Sequence, residues 1–177
     1  IILLTENLSH MMRYSCDMKN HRVPLAKEIE HVKAYVSIIN MRFDDSISLE
    51  CRVDGPLLQI SVLKLTLQPL VENAWSHGIL PKNGHRGSIR ICAEAEGETL
   101  TVTVTDDGTG ITPERSRELN AQLAEINYEA TDSENGTGVA LKNVNNRIKL
   151  SDGPEYGVTL YPAQGGGCRV VMKGKMK

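Results

Sequence analysis

The sequence has no apolar run approaching the roughly 18 residues needed to cross a bilayer. Its opening Ile1-Ile2-Leu3-Leu4 is too short for a secretory signal core and has no basic residues before it. It does not begin with Met, so the chain reads as a piece of a longer protein, with any membrane segment outside it. An excess of one charge is also lacking. Twenty Lys and Arg against 22 Asp and Glu leave a formal net charge of −2, which removes the electrostatic case for nucleic acid. Cysteine is sparse: Cys16, Cys51, Cys92 and Cys168 form no C-x-x-C pair, and no His stands at metal-ligand spacing from them. That argues against zinc and against a disulfide framework, and favours four reduced thiols in a cytosolic domain. What is present suffices for one domain with a sizeable core, or a domain plus an appendage. The chain has 177 residues, 40% of them apolar and 24% charged.

Helical patterning comes first. Leu4, Leu8, Met11, Met12 and Ser15 recur at helical spacing between about Leu3 and Asp17. A link from Lys19 to Val23 leads to Pro24, which suits a first helical turn, and Ile29, Val32, Val36 and Ile39 then mark a helix to about Phe43, broken by Asp44-Asp45. Beyond that point the period falls to two at Ile47, Leu49, Cys51 and Val53. Gly55-Pro56 turns the chain, and Leu63 to His77 reads as a helix ended by Gly78. Ser88–Ala95 and Leu100–Thr105 flank Gly97-Glu98 as a hairpin. A helix from Pro113 to about Asn127, a polar stretch from Tyr128 to Asn135 and a helix from Val139 to Leu150 follow. Strands near Tyr156–Tyr161 and Cys168–Lys173 close the chain across Gly165-Gly166-Gly167. This order predicts a two-layer α/β sandwich, its mixed sheet covered by helices, preceded by a helical segment. Paired neighbouring strands argue against a doubly wound sheet.

Three segments carry chemistry. In Leu67-Gln68-Pro69-Leu70-Val71-Glu72-Asn73-Ala74-Trp75-Ser76-His77-Gly78, Asn73 and His77 are four apart and share a helix face. An amide oxygen there suits Mg²⁺, which keeps waters and phosphates as its other ligands; a helix with a merely wet side has the same pattern. In Asp106-Asp107-Gly108-Thr109-Gly110, an acidic residue ends a strand beside glycines that allow close backbone approach. A carboxylate so placed can accept from an exocyclic amine such as that of adenine; a simple turn is the alternative. In Asn135-Gly136-Thr137-Gly138, a glycine loop enters a helix and offers N–H groups and a positive dipole end to phosphate. It is neither a Walker A loop nor a G-x-G-x-x-G dinucleotide loop.

Taken together, in this order and context, the three resemble the N, G1 and G2 boxes of the GHKL superfamily of gyrase, heat-shock chaperone, histidine kinase and MutL ATPases. The wording around Asn73, with Leu8-Ser9, Arg13-Tyr14-Ser15, Val23-Pro24-Leu25, Glu28, Tyr35, Arg42-Phe43 and Gly138 through Arg147, is similar to LytS/YehU-type sensor histidine kinases. The resemblance implies a GHKL (Bergerat) fold over residues 44–177. It makes residues 1–43 the remnant of a dimerisation bundle plus a linker helix. It implies ATP and Mg²⁺ as cofactors, with Asn73 holding the metal and Asp106 binding the adenine amine. Gly108 and Gly110 would pass close to the nucleotide; Gly136, Thr137 and Gly138 would shape a lid hinge toward the phosphates. Lys142 would neutralise phosphate, or simply be solvated. Glu72 and His77 would be the catalytic neighbours, Glu72 acting through water and His77 touching or supporting phosphate.

The expected reaction is transfer of the ATP γ-phosphate to a histidine outside this chain and thence to a response regulator, in a cytoplasmic domain of a membrane sensor that dimerises at full length. Several departures bear on this. Where hydrolysing relatives carry Glu four residues before the metal Asn, this chain has Pro69, which suits a kinase. Ala140 and Cys168 stand where relatives often have Gly and Thr. No Asn-Pro-His-Phe motif is present, and His10 matches the bundle's second helix, so no autophosphorylation is expected. Competing readings are a degenerate nucleotide-binding module, an anti-sigma-type serine kinase and a GHKL hydrolase.

Overall fold

The computed structural model describes residues 6, 8, 9, 11–14, 21–124 and 137–176, the side chains of 137 and 138 excepted. Residues 6, 8, 9 and 11–14 are helical. Strand β1 (Arg22–Pro24) leads into helix α1 (Leu25–Arg42), followed by β2 (Ile47–Arg52), a 3-10 turn (Gly55–Gln59) and β3 (Ser61–Leu63). Helix α2 (Leu67–Asn73) continues as a π-helical turn over Ala74–Ile79. The hairpin β4 (Gly87–Glu96) and β5 (Thr99–Asp106) comes next, then α3 (Pro113–Ala124), α4 (Thr137–Asp152), β6 (Gly157–Pro162) and β7 (Cys168–Lys175).

The main sheet has the order β2-β4-β5-β7-β6. Its β2–β4 pair is parallel and the others antiparallel, and β1 and β3 form a separate two-stranded ladder. Alternation decides which face is buried. Ile89 and Ile91 of β4, Leu100, Val102 and Val104 of β5, Val158 and Leu160 of β6, and Val170 and Met172 of β7 all point to the helices. The register aligns them, pairing Ile91 with Val104, Val104 with Val170, and Leu160 with Val170. The other face carries half-exposed Cys92, Thr101, Thr103, Thr105 and Val171.

Helix α1 packs Leu25, Ile29, Val32, Val36 and Ile39 into the same core as Leu67, Leu70 and Val71 of α2. It ends where Asp44 and Asp45 adopt left-handed φ of 52° and 51°. Asn40 secures the exit: its amide accepts from Ile47 N–H and donates to Ile47 C=O, both at 2.8 Å.

Four local features differ from the sequence expectations. The 19–23 link contains the start of β1. Arg22 fixes that strand by pairing with Asp152 at 2.7 Å and donating to the carbonyls of Ser61 and Lys175. The Leu63–His77 helix begins only at Leu67, because residues 61–63 pair with β1. Gly78 does not terminate the helix; it lies within the π-helical turn. Helix α4 starts at Thr137 and ends at Asp152, longer at both ends than its apolar period implies. The polar stretch 128–135 and Gly136 lie outside the described residues.

Candidate nucleotide-binding cleft

The buried row of β5 runs Leu100, Val102, Val104 and then Asp106, so the same two-residue period that fills the core carries a carboxylate to the strand's end. Asp106 is 3% exposed. Its Oδ1 accepts from the backbone N–H of Gly108 at 2.8 Å and of Cys168 at 3.3 Å. Among the described residues Oδ2 has no hydrogen-bond partner, yet it is not an enclosed orphan. Burial raises the Asp106 pKa above the ordinary carboxylate value despite those two N–H donors. Asp107, one residue on, points to the opposite side. It takes Ser88 N–H, Ser88 Oγ–H and Lys82 Nζ. Burial opposes its ionisation, but these donors outweigh that and lower its pKa.

Around Asp106 the backbone is assembled through glycine. A Cβ on Gly108 would lie 2.2 Å from the Gly78 carbonyl carbon, and one on Gly167 would lie 1.9 Å from Asp106 O. No side chain fits either position. Thr109 N–H donates to Gly78 O at 2.8 Å, which joins the β5–α3 loop to the end of α2. The close approach made by Gly108 is thus to the chain's own backbone, while Gly110, at φ 82°, lines the open cleft.

The cleft opens between α2, the end of β5 and α3 and spans about 620 Å³, open solvent at its mouth included. Asn73, His77 and Gly78 form one wall, Asp106 and Cys168 the floor, and Ile111, Arg115 and Leu119 the far side. The last three recur every four residues. Helix α3 is held over the sheet edge by Leu160, whose carbonyl accepts from Ser116 Oγ at 2.7 Å and Asn120 Nδ2 at 2.8 Å. Leu160 N–H returns a bond to Asn120 Oδ1 at 2.9 Å. The Cys168 thiol is pushed up to about 12 by burial and by the Asp106 charge. Partial burial lowers the His77 pKa below the ordinary imidazole value, which keeps the ring neutral at pH 7.

The structure therefore brings Asn73, His77, Asp106 and Gly110 together on one cleft, with Gly108 beneath. Glu72 is not among the lining residues. One residue is a rotation of about 100° on a helix, and that turns its carboxylate toward α1. There it accepts from Gln68 Nε2 at 2.6 Å, and its charge, after burial, helps raise the Tyr35 pKa. Lys142 is half-buried on α4 and does not line the cleft either. Thr137 and Gly138 open α4, and Gly136 lies outside the described residues. Gly78, Ile111, Arg115, Leu119, Leu160 and Gly167 were not identified from sequence as site residues. The four-residue recurrence of 111, 115 and 119, and the run Gly165-Gly166-Gly167, were the signals available.

Among the described residues no three His, Cys, Asp or Glu side chains gather to chelate a metal. Asn73 offers one half-exposed amide that makes no hydrogen bond within the described residues. That donor fits a hard cation shared with phosphate and water.

Comparison with known proteins agrees with this geometry. Residues 59–177 match the family described as histidine kinase-, DNA gyrase B- and HSP90-like ATPase, and residues 2–47 match a histidine kinase family. The sensor protein LytS of Oceanobacillus iheyensis is 34% identical over 142 residues, covering 80% of this chain and 23% of that protein. The chain thus spans about a quarter of the length of such relatives. The nucleotide-free catalytic domain of the histidine kinase ThkA superposes with a TM-score of 0.62 at 16% identity, covering 89% of this chain and 96% of that one. ThkA in complex with the response regulator TrrA matches with a TM-score of 0.62 at 17% identity, over 98% of this chain and 47% of that one.

Proposed function

The chain belongs to the histidine kinase-, DNA gyrase B- and HSP90-like ATPase family, and on that premise we propose that it is the ATP-binding catalytic domain of a sensor histidine kinase. The observation that carries this is the half-satisfied carboxylate of Asp106. Two backbone N–H groups hold one oxygen and leave the other to the cleft. An exocyclic amine such as that of adenine donates to such an oxygen. Asn73 holds Mg²⁺ from the α2 wall, where the ion offsets phosphate charge, and neutral His77 on the same face donates toward phosphate. Thr137 and Gly138, the first residues of α4, offer the phosphates a helix N-terminus, and Gly136 is the remaining member of that glycine motif. Lys142 adds charge a turn away. Glu72 acts at a remove, by holding Gln68 and the α1 side of the helix.

The domain's work is positioning and charge neutralisation, which dominate phosphoryl transfer. The γ-phosphate goes to a histidine on another segment and from there to a response regulator, the kind of partner present in the ThkA–TrrA complex. Residues 1–43 are the remnant of a dimerisation bundle plus a linker helix, and 44–177 the kinase domain proper. No described helix is long and apolar enough to cross a membrane. Attachment to a membrane, with this domain on its cytoplasmic side, would lie in segments outside the chain.

With γ-labelled ATP and Mg²⁺, the chain is expected to label in trans a polypeptide carrying the bundle and its acceptor histidine, without labelling itself. Steady ATP turnover without transfer would assign it to the hydrolases instead. Label appearing at His10 would overturn the placement of the acceptor outside the chain.

A further inference from the structure

The junction between β3 and α2, residues 64–67, is gripped on two sides by charged groups from other helices. On its N–H side stands Glu28, in the first turn of α1 and 1% exposed. Its carboxylate accepts from Leu65 N–H at 2.7 Å, Thr66 N–H at 2.8 Å and Leu67 N–H at 2.9 Å, and from the Tyr14 hydroxyl. On the carbonyl side Arg147 of α4 donates to Lys64 O at 2.6 Å and Leu65 O at 3.2 Å. The segment does not hold itself. Leu65 sits at a left-handed φ of 57°, a conformation its apolar side chain does nothing to favour. Thr66, at the N-cap, turns its hydroxyl back to Leu63 O rather than capping α2. Glu28 supplies from α1 the cap that the helix lacks locally.

We propose that Glu28 and Arg147 are positioning residues for the metal-bound end of the nucleotide. By gripping one junction, Glu28 at residues 65–67 and Arg147 at 64–65, they set α2, and with it Asn73, in register against α4. Asn73 lies about 9 Å along the axis from Leu67, and Arg147 about 15 Å from the start of α4 at the glycine loop. The far end of the α2 wall is pinned separately, where Thr109 N–H holds Gly78 O. Releasing the N-terminal grip therefore tilts α2 about Gly78, displacing Asn73 more than Asp106. The same junction ties Tyr14, among the described N-terminal helical residues, to α1 and the start of α2. Tyr14 bonds Glu28, its ring lies 4.6 Å from the Lys64 ammonium and 4.4 Å from the His31 ring, and His31 contacts Gln68 of α2.

This inference rests on the nucleotide-site reading above, and the two fail differently. In the 177-residue chain, calorimetry would follow adenosine, ADP without Mg²⁺ and ADP with Mg²⁺ for the parent, Glu28→Gln and Arg147→Lys. Glu28→Gln keeps the size of the side chain but turns an NH₂ against backbone N–H groups. Arg147→Lys keeps the charge but loses the fork. Each folded variant is expected to bind adenosine within about twofold of the parent and MgADP about tenfold more weakly, the range seen when supports of a metal ligand are removed. Asn73→Ala added to Glu28→Gln should then cost little more. Equal loss of adenosine and MgADP, or parent-like MgADP affinity in both variants, overturns the positioning role. Should Glu28→Gln unfold, Arg147→Lys decides alone, because its side chain approaches from the solvent side. A parent that binds neither adenosine nor MgADP fails the nucleotide reading itself, and the positioning role falls with it.

Discussion

Gly78→Ala tests whether the position of the Asp106 carboxylate is what makes the cleft. The glycine lies in the π-helical turn at a backbone conformation alanine adopts freely, so the methyl group is the whole perturbation. It would lie 2.5 Å from Asp106 Oδ1 and 2.8 Å from Cγ. Ordinary contact begins near 3.4 Å, so the carboxylate must retreat by about 0.9 Å. Oδ1 is the atom held by Gly108 and Cys168 N–H, at 2.8 and 3.3 Å, and a retreat of that size breaks at least one of these bonds. A hydrogen bond to a charged group contributes about 1.5–3 kcal/mol. The same retreat carries Oδ2 away from the ligand, and losing a bond of that strength between Oδ2 and the nucleotide weakens binding roughly ten- to 150-fold. Calorimetric titration with ADP reads this directly, and thermal unfolding separates it from collapse of the domain. Gly55→Ala is the control. Nothing lies within 4 Å of its Cβ and its φ is not positive, so its stability should stay within about 0.5 kcal/mol of the parent. A folded Gly78→Ala that binds ADP within twofold of the parent would refute the reasoning.

Other outcomes follow from the same geometry. Because burial raises the Asp106 pKa and the ionised form is the acceptor, ADP affinity should be full above that pKa. It should fall, as pH drops, starting above the ordinary carboxylate value of about 3.9, and ADP titrations in that range that stay flat would contradict this. In the unliganded chain the sign reverses. A raised folded pKa gives stability that is present at low pH and lost as pH rises through it, so Asp106→Asn should melt no lower than the parent at pH 7. Cys168, its thiol at about 12, should have roughly one part in 10⁴ thiolate at pH 8, and iodoacetamide should label it far more slowly than an ordinary thiol. Rapid labelling at that residue, read by mass spectrometry, would contradict the buried floor of the cleft.

The placement of Asp106 was legible because one rule, alternation, both fills the core and ends the strand: Leu100, Val102, Val104 and Asp106 share a phase that Asp107 does not. Asn73 and His77 were legible from helical spacing for the same reason. What escaped was information carried by contacts between distant segments. Strands β1 and β3 have three residues each, too few to show a period. Gly78 looks like a helix stop in sequence, but its small size serves Gly108 and Asp106, some 30 residues on. Gly167 likewise answers to Asp106 O. Glu72 stands beside Asn73 in sequence, and the helical turn sends it to α1 instead. Glu28 stood out as part of a pattern, but its role depends on N–H groups 37 to 39 residues away.

The central claim is that Asp106 and Asn73 read the two ends of one nucleotide. Calorimetry of ADP and a non-hydrolysable ATP analogue, with and without Mg²⁺, in the parent, Asp106→Asn and Asn73→Ala tests it most directly. Expected are Mg²⁺-enhanced binding by the parent, loss of binding with Asp106→Asn, and loss of the Mg²⁺ enhancement alone with Asn73→Ala. A folded parent that binds neither nucleotide, or an Asp106→Asn variant that binds both as the parent does, would contradict it.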